Sequence, residues 1–559
     1  MFLVSNPAMQ AGTGSADRPP VVLPHPVRMR VLGAVMVGVF LAALDQTVVG
    51  TALPRIITDL GGNGLYTWAF TAYLLTSTIS GPLYGKLSDL FGRRPVFLFG
   101  IGVFTAASIL AGLSQEMWQL VAARGVQGLG AGALFPIAMA VIGDLFAPSE
   151  RGRYQGLFGA VFGLSSLLGP AIGGLITDTI GWPFVFFVNL PVGAVVLVTV
   201  RRYLPAYHPA GARPRIDYLG AALFTGALVP ILVGLTNKQA ADWGDPSVGG
   251  LIGIGLLVLA AFVWVESRVA EPIVPLGLFR NRSFTVSVAA VFLAMFGFFA
   301  AVVFLPRWFQ VVDGSSATVS GYQMLPLLGG LIFSAVASGQ VVARTGRYRL
   351  LVFGALVLLA GGLAMLTQLR ADTPLPVLWA WMFVTGVGVG PTFAVFPLIV
   401  QNSVPVTHIG AASSNLSFFQ QVGGTVGLAI TGTVFATSMT RELPGAIGAA
   451  GVPPEVGQAL AGAGAGALTG VGDAGAAILA SLPAGARALV EPFVPAIVDA
   501  VHAAFSIATA STFAIGIGTT LLAAGLVLVL REAPAVAPAV ARAWESGEAS
   551  AAESAASAM

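Results

Sequence analysis

The chain has 559 residues, of which 9% are charged and 56% hydrophobic, and a net charge of +3. Soluble domains carry about 25% charged residues, so this composition, with a mean hydropathy of +0.87, excludes an ordinary soluble domain and points to an all-α membrane protein. The charge is too small and too scattered for a nucleic-acid binder, and the absence of cysteine excludes disulfides and thiolate metal sites.

Residues 1–30 read as a cytoplasmic tail. Met1 to Pro26 is polar and proline-rich and lacks the apolar core of a signal peptide. Beyond it, apolar runs of about 18–22 residues, each long enough to cross a bilayer as helix, predict fourteen spans. They fall at 31–53, 66–84, 95–114, 118–140, 154–177, 183–200, 218–236, 249–265, 283–305, 321–342, 350–369, 378–400, 411–436 and 503–530. Residues 437–502 are a long Ala- and Gly-rich stretch on the outer side, in which Ala476 to Ala504 has the spacing of an amphipathic interfacial helix. Residues 531–559, rich in Ala, Ser and Glu, have the composition of a disordered tail.

Positive charge orients these spans. With both termini in the cytoplasm, most Lys and Arg lie inside, and only Arg55, Lys238, Arg307, Arg370, Arg441 and Arg487 lie outside. An internal repeat divides the chain. The pattern Gly85-x6-Gly92-Arg93 recurs as Gly339-x6-Gly346-Arg347, and Gly169 and Gly173 recur as Gly423 and Gly427, all at one offset of 254 residues. Residues 31–202 and 283–530 are therefore two related six-helix halves, with two inserted helices in 203–282. In two-half transporters, substrate sites lie near the midplane between the halves.

Four motifs carry chemistry. In the first span, Asp45 follows Leu44 and precedes Gln46 and Thr47. It is the only carboxylate well inside a predicted span, where an ionised acid costs roughly 2.5–3.5 kcal/mol. Two readings follow: a carrier that is neutral when buried and charged when exposed, or a fixed partner of an arginine. Between the second and third spans, Gly85 to Arg94 forms a polar turn with Lys86, Asp89, Gly92, Arg93 and Arg94. Its glycines permit a tight turn and its cations anchor it to the inner surface. In the fourth span, Arg124-Gly125-Val126-Gln127-Gly128 places a permanent cation in the hydrocarbon. Arg124 lies at the depth of Asp45, so the two can face each other across the bundle. The fifth span carries Gly163-x5-Gly169-Pro170-x2-Gly173-Gly174, a smooth face for close helix contact with a kink at the proline.

With these motifs, the chain resembles the major facilitator superfamily, in its fourteen-helix drug:proton antiporter branch, over about residues 30–530. Pro275-Leu276-x-Leu278-Phe279-Arg280-Asn281 and Gln420-Gln421-x-Gly423-Gly424 also match. The resemblance implies that Asp89 latches the turn to the start of the thirteenth span near Ser413. It implies that Arg124 shifts the proton affinity of the neighbouring acid, and that the Gly-Pro motif of the fifth span marks export in exchange for protons. Ala343 stands where Asp89 would recur, so the latch is one-sided. Arg307 departs from the family pattern, as an interface anchor or a bias of the outer vestibule against cations.

The resulting expectation is a proton-coupled exporter of amphiphilic compounds such as drugs, dyes or antibiotics, monomeric, in a bacterial plasma membrane. No cofactor or metal is expected: there is no phosphate-binding Gly-x4-Gly-Lys-Ser/Thr loop, and no nucleophile–base constellation suggests an enzyme. The partners are protons, lipid and a small amphiphile. Candidate cavity residues are Tyr73, Gln127, Phe158, Phe162, Asn415, Phe418 and Gln421. An exporter of one endogenous product, such as a lipid, siderophore or antibiotic, and a non-transporting receptor are the alternatives.

Overall fold

A computed structural model describes residues 23–60, 65–146, 148–206, 217–238, 241–269, 271–456, 474–482, 484–530 and 532. Among these the regular structure is entirely helical. The first half contains α1 (His25–Leu60), α2 (Tyr66–Phe91), α3 (Arg93–Gly112), α4 (Met117–Leu145), α5 (Pro148–Thr179), α6 (Pro183–Phe187) and α7 (Asn189–Tyr203). The inserted pair is α8 (Tyr218–Asn237) and α9 (Leu251–Glu266). The second half contains α10 (Arg282–Val311), α11 (Ala317–Gln323), α12 (Leu325–Thr345), α13 (Arg349–Leu366), α14 (Leu375–Asn402) and α15 (Ile409–Ala449). Its last part contains α16 (Ala474–Ser481), α17 (Ala484–Val490) and α18 (Val494–Val527), which packs against α10, α13 and α15.

Among the described residues, twelve helices are long and apolar enough to cross a bilayer. Helices α2 and α5, of 26 and 32 residues, match them in length and are rich in Thr, Ser and Gly. Proline within α4, α8, α10 and α14 is tolerated because neighbouring helices and hydroxyl side chains satisfy the freed backbone groups. Helix ends carry local signals: Asn281 accepts hydrogen bonds from the backbone of Ser283 and Phe284 at the start of α10, and Asp217 accepts one from Gly220 at the start of α8.

Both copies of the repeated turn rest on a glycine with positive φ. Gly92 (φ 92°) is the single residue between α2 and α3, and Gly346 (φ 67°) ends α12. Any other residue there is strained.

The two halves meet along two seams. Helix α5 packs against α12 and α14, and α2 and α4 pack against α15. The apolar spans of α14 and α4 are 83% and 78% buried, against 17% for α9. The inserted helices are therefore peripheral. They pack on each other, and α8 touches α2 and α15 at the edge of one seam.

The structure corrects several expected boundaries. Helix α1 starts at His25, inside the expected tail, and α15 continues to Ala449, beyond the expected end of its span at residue 436. The expected helix from Ala476 to Ala504 is broken at Leu482 and again at the Pro492 turn, and its last third is the start of α18. The first break comes just before Pro483 and the second at Pro492, stop signals in the sequence that the apolar spacing alone did not weigh. Residues 1–22, 457–473 and 533–559, including most of the expected tails, lie outside the described residues.

Candidate functional site

Asp45 and Arg124 are both buried and form an ion pair between α1 and α4. The other carboxylate oxygen of Asp45 accepts from Gln127 Nε2 at 2.8 Å and from Asn189 Nδ2 at 2.9 Å. Both amides also donate to Ser108 Oγ. Arg124 donates further to Gln127 Oε1 at 2.7 Å and to the Ala69 carbonyl at 3.2 Å, and its guanidinium lies 4.2 Å over the Tyr73 ring. Four helices of the first half thus close around one acid. A carboxylate and a guanidinium out of water are tolerated only when their remaining lone pairs and protons are satisfied, and the amides supply most of those partners.

Tyr73 separates this pair from a cavity of about 210 Å³ between the halves. From the first half the cavity is lined by Gln46, Tyr73, Ser77, Thr78 and Phe135, and from the second by Phe298, Phe299, Phe393, Gln420 and Gln421. None of its lining residues is charged. Thr78 Oγ1 donates to Gln421 Oε1 at 2.8 Å and ties the two halves across it. Aromatic walls with a few amides and hydroxyls suit an amphiphile whose polar groups hydrogen-bond without a full counter-charge.

At the end of the bundle that carries the Gly85–Arg94 turn, the halves are interlocked. Asp89 accepts from the backbone N–H of Gly410 at 3.0 Å and of Ala411 at 2.7 Å, the first turn of α15. A carboxylate at a helix N-terminus meets unpaired donors and the positive end of the dipole. Arg93 fixes Asp89 from behind and reaches Asp144 at 2.8 Å and Ser88 at 2.7 Å. Lys86 pairs at 2.7 Å with Glu271, in the segment after α9. Gly85 sits so close to α15 that a Cβ there would lie 1.9 Å from Ser414 Oγ. Around the turn, Arg151 donates to Asn402 at 2.9 Å, and Gln401 accepts from Gln155 and donates to the Met139 carbonyl. The backbones of Gly152 and Gly339 touch directly.

The glycines of α5 divide between two partners. Gly163 faces Ile332 of α12, where a Cβ would come within 2.5 Å. Gly169 faces Thr47 of α1, where it would come within 2.0 Å of Oγ1. Gly173 is buried and Gly174 half-buried. The side chain of Pro170 lies outside the described residues.

Of the cavity candidates, Tyr73 and Gln421 line it. Gln127 belongs to the Asp45 network instead. Phe158 is one layer back, edge-on to Phe135 at 5.0 Å. Asn415 is buried and donates to the Ala411 carbonyl within its own helix. Phe418 points outward to Phe224 of the inserted α8, at 5.5 Å. The side chain of Phe162 lies outside the described residues. The contact of Asp89 falls at Gly410 and Ala411, ahead of the expected Ser413, because α15 begins at Ile409. Arg94 stays half-buried beside the turn. Sequence reasoning missed Asn189 and Ser108, whose signal was a polar residue inside an apolar run. It also missed Gly152, whose pairing with Gly339 only the packing of α5 on α12 reveals.

The sequence model of the Major Facilitator Superfamily matches residues 35–428, from α1 into α15. Multidrug transporter protein MdtP of Bacillus subtilis (strain 168) is 39% identical over 411 residues, covering 73% of this chain and 75% of its own. Multidrug resistance protein 3 of the same organism is 36% identical, covering 74% and 80%. The tetracenomycin C resistance and export protein of Streptomyces glaucescens is 33% identical, covering 74% and 76%. The crystal structure of the human organic anion transporter MFSD10 (TETRAN) superposes with a TM-score of 0.57 over 90% of this chain and 100% of its own, at 16% identity, a likeness of fold. The matched region holds both seams, the ion pair and the cavity between the halves, and the chain belongs to the Major Facilitator Superfamily, a membrane transporter and not an enzyme.

Proposed function

We propose that this chain is a proton-coupled antiporter that exports amphiphilic organic compounds across the bacterial plasma membrane by alternating access. The observation that carries the reading is the burial of the Asp45–Arg124 pair directly behind an uncharged, aromatic cavity shared by both halves. Names of the relatives above, which speak of multidrug transport and antibiotic export, support the same class of cargo.

A proton arriving at Asp45 removes the counter-charge of Arg124 and turns one carboxylate oxygen from acceptor to donor. The guanidinium must then find other partners, among them the Ala69 carbonyl, Gln127 and the Tyr73 ring it already touches. Tyr73 stands in both the pair and the cavity, so movement of Arg124 reaches the substrate wall through one side chain. The latch of Asp89 on α15 holds one access state, and rocking of the halves along the α5 seam releases it. A potential of 100 mV supplies about 2.3 kcal/mol per charge, which sustains a gradient of order tens-fold for a neutral cargo.

In this reading α2 and α5 join the twelve apolar spans to give fourteen crossings. The two crossings of the inserted pair lie outside a twelve-helix core, both termini lie in the cytoplasm, and the monomer works without a cofactor. The test is ethidium efflux from energised cells or proteoliposomes, wild type against Asp45→Asn. Efflux abolished by an uncoupler and absent in the variant is expected. Uncoupler-insensitive efflux, or full efflux in Asp45→Asn, overturns the reading.

A further inference from the structure

A second and larger cavity, about 470 Å³, lies where the end of α8 meets α10 and α15. Three charged side chains line it: Lys238, Asp242 and Arg307. Lys238 is nearly buried, at 8% side-chain exposure. It donates to the Ala241 carbonyl at 3.0 Å, one of its three N–H bonds. Asp242 is fully exposed and 3.9 Å away, so its attraction is screened by water. Arg307 lies with its guanidinium 5.9 Å over the Phe435 ring. The rings of Phe304 and Phe435 stack at 5.2 Å and form an apolar wall below the two cations. Charge above and rings below is the mirror image of an amphiphile with a negative head.

Shared lining residues place this cavity next to the central one. A smaller space of about 110 Å³ between α2, α8 and α15 shares Leu74, Thr78 and Thr425 with the central cavity and Ala429 with the outer one. Leu428 lines all three. Successive turns of α15 therefore form one wall of a path from the midplane to the end opposite the latch, and the inserted helix forms another. The central cavity holds no charge, whereas the mouth holds two cations against one screened carboxylate.

We propose that the cleft between α8, α10 and α15 binds the anionic head group of an amphiphile, with Lys238 and Arg307 as the charge partners and Phe304 and Phe435 against its apolar body. The site gives the inserted pair a role: it completes a mouth that the twelve-helix core lacks. The proposal deepens the export reading by naming the charge of a preferred cargo, and it rests on that reading only for transport, not for binding.

The test uses the full chain in phosphatidylcholine nanodiscs, titrated with a fluorescent dansylated fatty acid and with its uncharged methyl ester. Lys238→Gln with Arg307→Gln should weaken binding of the acid by about tenfold or more, the scale of a lost hydrogen bond to a charged group, and leave the ester unchanged. Lys238→Arg with Arg307→Lys should restore acid binding. Unchanged acid binding, or equal loss of acid and ester, overturns the proposal. Phosphatidylglycerol added to the discs distinguishes the source of the head group. Competition with the acid in wild type only identifies bilayer lipid at this site, whereas proton-driven export of the acid from proteoliposomes, lost in the Gln variant, identifies cargo. Acid binding that depends on the two cations, in protein that moves no dye, leaves the site standing and removes the export reading.

Discussion

At the scale of residues, the Asp45–Arg124 pair separates stability from coupling. Asp45→Asn leaves a buried guanidinium without its counter-charge, a loss of about 3–5 kcal/mol for a broken buried pair. The variant should melt earlier than wild type in detergent. Adding Arg124→Gln removes the stranded charge and should recover most of the melting temperature without recovering uncoupler-sensitive efflux. Recovery of both would make the pair a structural tie and no more. The acid and the cation were legible because charge inside an apolar run is rare and expensive, and matched depth suggested the partnership. Asn189 was not legible. One amide in an apolar run looks like any interhelical hydrogen bond, and its aim at Asp45 depends on how α7 lies against α1 and α3. Phe418 misled for the same reason: an aromatic ring on α15 can face the cavity or the inserted helix, and only packing decides.

At the scale of elements, the turn between α2 and α3 and the glycines of α5 control how the halves meet. Asp89→Asn keeps the shape but weakens two hydrogen bonds to a charged group, each worth about 1.5–3 kcal/mol. The natural absence of cysteine makes the readout direct. A single cysteine at the buried Ser338, beside Gly339, should react with a water-soluble maleimide several times faster in the Asp89→Asn background. Equal rates would mean that the latch does not hold this end closed. Gly339→Leu tests the same surface from the other side. A side chain there meets the Gly152 carbonyl, 2.2 Å from the Cβ position, and should wedge the end open and abolish efflux. The repeat in the sequence exposed the turn and its glycines, since Gly92 and Gly346 both need positive φ. The extent of α15 was hidden, because nothing in its composition stops the helix where the membrane would end.

At the scale of the whole molecule, apolar run lengths and the constant repeat offset suggested two halves with an inserted pair, and α8 and α9 pack mainly on each other at the edge of one seam. Helices α2 and α5 both lie on the seams between halves, where their Gly, Ser and Thr allow close approach. If both cross, as proposed, the α3–α4 loop lies outside and the α4–α5 loop inside; if neither crosses, these two loops exchange sides while every later loop keeps its own. Single cysteines at the exposed Gln115, between α3 and α4, and Arg153, near the start of α5, check this. Membrane-impermeant maleimide added to whole cells should label the first and spare the second. The reverse pattern, or equal labelling, would remove the fourteen-crossing arrangement with both ends in the cytoplasm.

The clasp of Asp89, Arg93 and the touching glycines lies at one end only, and Ala343 replaces the acid in the repeated turn. In the proposed orientation, with this end in the cytoplasm, the cavities described above lie on the outer side of the latch. Pharmacology follows from this. Under the proposed export cycle, a blocker that fills the cavity from the medium would not need to enter the cell, survive its metabolism or escape being pumped out.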